Sequence, residues 1–262
     1  MTAALTRACS EVVADPLDAA SHLLVPADRV VMLSGASRGI GAAIAHRLAS
    51  EGYSLSLGVR KPAEVRAKYA AFPPSRLLVS RFDALDAASA QAWLQETVDR
   101  YGRLDALINN AGIMKPLSFS DGDEGVLDEL WAVNVKAPFR LIRLALPLLA
   151  RSGNGRIINI ASTDGKRYRD SSVSIAYALT KQALVALSHA AKFAGWEDGV
   201  RVTALCPGAV DTDLLKDLSG VTPAGKRIAP ATLAEIVTLL LRLPNSASVA
   251  ELVVNTRLEH SL

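Results

Sequence analysis

A tyrosine and a lysine stand four residues apart in the stretch AYALTK, residues 176–181. In a helix that spacing puts Tyr177 and Lys181 on one face, where their head groups can meet. A free phenol titrates near a pH of about 10, and an ammonium beside it favours the phenolate. Such a pair can give and take a proton at an oxygen atom, which is the work of a general acid/base. Taken alone, the same two residues are an ordinary pair on a helix surface.

A second stretch supplies something for that proton chemistry to act on. Residues 34–41 read SGASRGIG, between an apolar run and a helical pattern. Gly35 permits a sharp turn, Gly39 lets backbone approach a pyrophosphate, and Gly41 lets the following helix pack closely on the sheet. The free N–H groups and positive dipole end of that helix suit phosphate. The spacing, G-x3-G-x-G, differs from the common G-x-G-x-x-G, and a glycine-rich turn by itself is weak testimony. An acid at the end of the second strand, which would hold a ribose 2′-OH, is missing: Val59 and then Arg60 stand there. Arg60, joined by Arg38 from the glycine turn, offers a guanidinium to a 2′-phosphate, so NADP(H) is expected over NAD(H). The alternative is that Arg60 simply begins a solvated loop.

SGASRGIG, NNAG at 109–112, Tyr177-x3-Lys181 and the Pro-Gly at 207–208 follow one another in this order. Together they resemble the short-chain dehydrogenase/reductase family, over about residues 29–254. The resemblance implies that Ser162, after the strand RIINIAS, binds the substrate oxygen beside Tyr177. It implies that Asn134, in LWAVNVKAPF, holds a water continuing the proton path from Lys181; a buried asparagine satisfied by backbone is the plainer alternative. It places Ser37, Arg38 and Ile40 of the glycine turn, Asn110, Ala111 and Gly112 of NNAG, and Pro207, Gly208, Val210 and Thr212 of CPGAVDTDL against the dinucleotide. Asp83 and Ala84 resemble the pair at the adenine, although Asp83 could equally be a helix N-cap or turn residue. Lys181 would also hold the nicotinamide ribose, and the oxidised ring would add a second charge favouring phenolate. The reaction implied is hydride transfer between a nicotinamide and a ketone or secondary alcohol. A non-catalytic dinucleotide-binding sensor or scaffold, and an NAD-dependent enzyme of the same fold, are the rival readings.

These residues need elements to position them. Continuous apolar runs alternate with helical patterns: strands at Arg29–Ser34, Tyr53–Val59, Arg76–Phe82, Leu104–Asn109, Arg156–Ala161, Val200–Cys206 and Glu251–Val254. Helices are expected at Gly39–Glu51, Ala63–Tyr69, Asp86–Tyr101, Glu124–Ala150, Ser174–Glu197 and Ala231–Arg242, with Pro138 and Pro147 bending or ending the fourth. That alternation predicts one α/β domain of the Rossmann type, doubly wound, with a parallel seven-stranded sheet covered on both faces. Residues 1–28 form an extension, partly helical by the spacing of Leu5, Val12, Val13 and Leu17, in front of a domain at 29–262. Residues of about 213–229 would form a lid over the substrate.

Composition narrows the partners. The chain has 262 residues, half of them hydrophobic, and a net charge of +3 from 29 basic and 26 acidic residues. That balance argues against nucleic acid and against an anionic membrane surface. The longest apolar run, near Leu239–Leu243, is too short to span a bilayer. Two distant cysteines, Cys9 and Cys206, suit a reducing cytoplasm better than a disulfide framework. His22, His46, His189 and His260 lack ligand spacing, so no metal is expected. Two features depart from the family. Ser162 and Tyr177 are fifteen residues apart rather than thirteen, which leaves Thr163 as an alternative to Ser162. The enlarged loop carries Lys166, Arg167 and Arg169, either a solvated basic loop or a site for an anionic group on the substrate. The C-terminal VAELVVNTRLEHSL lacks the usual glycines, so a homodimer through the two long helices and a homotetramer both remain open.

Overall fold

The computed structural model describes residues 23–120, 122–215 and 222–256. Among them, seven parallel strands form one sheet in the order β3-β2-β1-β4-β5-β6-β7. The strands are β1 (Val30–Ser34), β2 (Ser54–Val59), β3 (Leu77–Arg81), β4 (Ala106–Asn109), β5 (Arg156–Ile160), β6 (Arg201–Pro207) and β7 (Glu251–Val254). The central strands β1, β4 and β5 are buried along their whole length, as continuous Val/Ile/Leu runs require when helices cover both faces. The helices are α1 (Gly39–Ser50), α2 (Pro62–Lys68), α3 (Ala87–Tyr101), α4 (Glu124–Trp131), α5 (Ala137–Arg151), α6 (Ile175–Gly195) and α7 (Pro230–Arg242). Helices α1 and α7 close one face over Val31, Leu33, Ile108 and Ile158. Helices α3 and α5 close the other over Met32, Leu107 and Ile157. The sheet order reverses between β1 and β4, so a crevice opens at their carboxyl ends.

Most expected elements fall within one or two residues of their observed ends. The exception is the expected single helix over Glu124–Ala150. It is divided by a π turn, Ala132–Lys136, whose centre is Asn134. Pro138 lies in the first turn of α5, where a missing N–H is harmless, and Pro147 lies inside α5. The break is therefore set by a side chain that hydrogen-bonds elsewhere rather than by proline. The expected N-terminal helix, Cys9, His22 and His260 lie outside the described residues, as does the middle of the expected lid. The described part of that lid holds a 3-10 turn, Asp213–Leu215, and a bridge between Val210 and Ile228. No helix among the described residues is long and apolar enough to cross a membrane.

Candidate active site

The glycine turn joins β1 to α1. Gly35 and Gly39 hold φ of 74° and 57°, which only glycine adopts readily. Gly41 has no room for a side chain: a Cβ there would stand 2.2 Å from the carbonyl oxygen of Gly35. The turn is tied to β4 by Asn110, whose Nδ2 donates to the carbonyls of Ser34 at 2.9 Å and Gly35 at 3.0 Å. The Ser34 hydroxyl accepts from the N–H groups of both Asn110 and Ala111 at 3.0 Å. Asn110 thus fastens the phosphate turn to the middle of the sheet.

Tyr177 sits in the first turn of α6. The cap residue Ser174 accepts from the N–H of Tyr177 at 3.3 Å, so the helix begins where the phenol must stand. Both Tyr177 and Lys181 are buried. The Lys181 ammonium donates to the Ile160 carbonyl at 2.8 Å and lies 5.6 Å from the centre of the Tyr177 ring. Of the two candidates after β5, Ser162 is the one whose hydroxyl acts on the Tyr177 phenol, favouring its ionised form. Its Oγ also accepts from the N–H of Asp164 at 3.1 Å.

Electrostatics here differ from the sequence reading, in which Lys181 draws the phenol downward. Burial pushes the Tyr177 phenol above its ordinary value, the nearby Asp164 carboxylate pushes the same way, and the Ser162 hydroxyl opposes them. Burial also pushes the Lys181 ammonium down to about 8. In the protein alone, desolvation outweighs any pull of lysine on tyrosine. Tyr177 therefore stands protonated at neutral pH, the state a proton donor needs.

Asn134 is a fastener. Its Oδ1 accepts from the N–H of Ile113 and its Nδ2 donates to the Ile113 carbonyl, both at 2.9 Å. The same Nδ2 donates to the Thr180 hydroxyl at 3.1 Å, and that hydroxyl donates to the Tyr177 carbonyl at 2.9 Å. Both amide hydrogens are thus committed to protein, so a water held by Asn134 would have to donate to one of its carbonyl oxygens. Gly112 keeps open the space beside it: a Cβ there would stand 3.2 Å from Asn134 Oδ1 and 3.6 Å from Lys181 Nζ.

Every sequence-predicted site residue except Asn134 lines a cavity of about 520 Å³. Gly35, Ser37, Arg38, Gly39, Ile40 and Gly41 line one end with Arg60, Asp83 and Ala84. Asn110, Ala111 and Gly112 line its floor, and Pro207, Gly208, Val210 and Thr212 its far wall with Ser162, Tyr177 and Lys181. The turn suits a dinucleotide, because its glycines leave backbone N–H groups bare at a helix N-terminus. Asp83 does not cap α3; Asp86 does, accepting from the N–H groups of Ala88 and Ser89. That leaves Asp83 on the cavity wall, where it accepts from the N–H of Leu85 at 3.1 Å. Arg60 is exposed at the cavity edge, whereas Arg38 is paired with Asp213 at 3.2 Å.

The enlarged loop divides. Lys166 turns away to Glu251 on β7, which also pairs with His189 on α6. Arg169 stays on the cavity wall, paired with Asp170 at 2.9 Å. Sequence reasoning missed Ser34, Thr180 and Asp164. Thr180 sits three residues after Tyr177, a spacing that could have drawn notice; the partners of Ser34 are 76 and 77 residues distant.

A family model described as short chain dehydrogenase matches residues 29–220. An agropine synthesis reductase of Rhizobium rhizogenes is 37% identical over 222 residues, 84% of this chain and 50% of that protein. The chain thus spans about half the length of the first relatives it matches. An uncharacterized oxidoreductase of Staphylococcus saprophyticus is 32% identical over 232 residues, 87% of this chain and 97% of that one. Among solved structures, a 3-ketoacyl-(acyl-carrier-protein) reductase from Brucella melitensis, complexed with NADH, superposes with a TM-score of 0.80 at 26% identity. That match covers 88% of this chain and 98% of the other.

Proposed function

The chain belongs to the short-chain dehydrogenase family, and we propose that it is an NADP(H)-dependent reductase of ketones, reversible to secondary-alcohol oxidation. The observation that carries this reading is that Tyr177 and Lys181, both buried, line the same cavity as the glycine turn. Bound in that cavity, a nicotinamide dinucleotide supplies the hydride. Tyr177 donates the proton to the substrate oxygen, and Ser162 holds that oxygen beside the phenol. Lys181 stands behind Tyr177 and orients the ribose through its remaining donors. A replacement proton enters past the opening that Gly112 leaves between Asn134 and Lys181. Asn134 is a positioning residue, tying the π turn to Ile113 and α6. NADPH fluorescence should report binding, and loss of nicotinamide absorbance with a panel of ketones should report turnover. Binding without turnover of any ketone would favour the sensor or scaffold reading.

Preference for the 2′-phosphate rests on Arg60 and on the lack of an acid after β2. Arg38 contributes once its exposed pair with Asp213 gives way to phosphate. The solved structure of similar fold carries NADH, and the charge on these side chains is what would turn this chain toward NADP(H) instead. We expect Arg60→Glu to weaken NADPH binding about 10–100-fold while sparing NADH, from the loss of a charge-assisted bond. Equal NADPH affinities for Arg60→Glu and the parent, by fluorescence titration, would remove the basis for this assignment.

Residues 29–262 act as one domain with a lid near 213–229, preceded by the extension at 1–28. The reading includes a cytoplasmic setting, a small-molecule carbonyl or alcohol as partner, and no nucleic acid. It also includes a homodimer or homotetramer, because α5 and α6 expose Phe139, Leu179 and Phe193. Sedimentation velocity should show the assembly, and Phe139→Lys with Phe193→Lys should shift it toward monomer.

A further inference from the structure

Given the NADP(H) reading, on which this inference rests, we propose that Lys68 and Tyr69, at the end of α2, are positioning residues for the 2′-phosphate. They hold two peptides of the glycine turn so that the N–H groups of Ser37 and Arg38 face that phosphate. The contacts are direct. The Tyr69 hydroxyl donates to the Ala36 carbonyl at 2.9 Å, and the Lys68 ammonium donates to the Ser37 carbonyl at 3.1 Å. Ser37 and Arg38 line the cavity, whereas Ala36, Lys68 and Tyr69 do not. In a planar trans peptide the C=O and N–H bonds point opposite ways. With both carbonyls drawn toward α2, the N–H groups of Ser37 and Arg38 turn to the other side, where the cavity lies. Neither N–H has an acceptor among the described residues.

Each side chain suits this work. Tyr69 is 1% exposed, and its ring packs on His46 and Phe72 with centroids 4.8 and 5.3 Å away. Burial pushes its phenol up to about 12, so the hydroxyl keeps the proton it donates. Lys68 brings a full charge to the next peptide of the turn. A carbonyl that accepts a bond polarises its peptide, and the N–H on the far side becomes a stronger donor. Successive N–H groups turned one way form a concavity for an anion. Location then selects the phosphate. Helix α2 begins at Pro62, two residues after Arg60, and the end of β2 is where a ribose 2′ substituent sits. A 2′-phosphate there meets Arg60 on one side and the turn on the other, with α2 bracing the turn from behind. The pyrophosphate belongs instead to the N-terminus of α1.

Tyr69→Phe removes only the hydroxyl and keeps the ring packing. Fluorescence titration with NADPH and with NADH should show the preference for NADPH falling about 3–10-fold, the effect of one hydrogen bond between neutral groups. Turnover of a responsive ketone at saturating NADPH should stay within about twofold of the parent. An unchanged preference overturns the inference. So does equal weakening of both nucleotides, which a merely structural loosening of the turn would give. Lys68→Met, at an exposed position, supplies a second measurement that leaves the core untouched. The preference should fall there too, and Lys68→Arg, which keeps a donor, should restore it; equal preferences for the two Lys68 variants count against the proposal. Failure of the NADP(H) reading looks different: the parent protein itself binds NADH as tightly as NADPH, before any substitution.

Discussion

Tyr177→Phe should lower kcat for ketone reduction about a thousandfold, within the range for loss of a general acid, while leaving NADPH affinity nearly unchanged. The substitution removes one oxygen. Phenylalanine fills the same buried volume between α4 and α6, where the ring packs against Leu130 and Ala176. The lost hydroxyl is desolvated, so its removal costs little stability and thermal unfolding should move by only a few degrees. Stopped-flow kinetics and fluorescence titration on the same preparation separate the two effects. Turnover within tenfold of the parent would sink the assignment of Tyr177 as proton donor.

The pH dependence follows from the directions of the shifts. Tyr177 is held protonated by burial, so reduction should not need alkaline conditions and oxidation should rise with pH. Lys181, held down to about 8 by burial, loses its charge as the pH rises through that value. Reduction, measured as kcat/KM, should accordingly decline above about pH 8. The stability linkage has the matching sign. The native state prefers the neutral amine while the unfolded chain stays protonated up to the ordinary lysine value of 10.5, so stability rises with pH between about 8 and 10.5.

Gly41→Ala should abolish dinucleotide binding and lower the melting temperature on the order of 10 °C, from overpacking and broken hydrogen bonds. The added methyl would stand 2.2 Å from the Gly35 carbonyl oxygen and 2.5 Å from Asn110 Nδ2. The first obstacle is backbone, so no rotamer change relieves it. Either α1 lifts from the turn or Asn110 releases Ser34 and Gly35, and both outcomes open the phosphate cradle. Calorimetry and NADPH titration read the two consequences separately. An alanine variant that binds NADPH within threefold of the parent would show that the turn is not the cradle.

How much of this could be read without coordinates depends on the range of each interaction. The alternation of apolar runs and helical patterns determined a parallel, doubly wound sheet, because burial on both faces writes itself into every five-residue strand. The glycine turn and the Tyr177/Lys181 spacing were equally legible. A left-handed backbone and a shared helix face are decided within a few residues. The absence of an acid after β2 could be counted directly. The place of the helix break could not: proline was the local signal, yet Asn134 makes the break by bonding Ile113, 21 residues back, and Thr180, 46 residues on.

The direction of the Tyr177 shift shows the same division. Sequence places an ammonium four residues from the phenol, and that proximity alone argues for a lowered pKa. Desolvation is a sum over everything packed around the group, including α4, β5 and Asp164, and it reverses the sign. Chain order therefore determined which residue types could perform hydride and proton transfer. Tertiary structure alone decided which of them share a cavity and which side chains are bonded to distant backbone, because those facts depend on contacts between segments far apart in the chain.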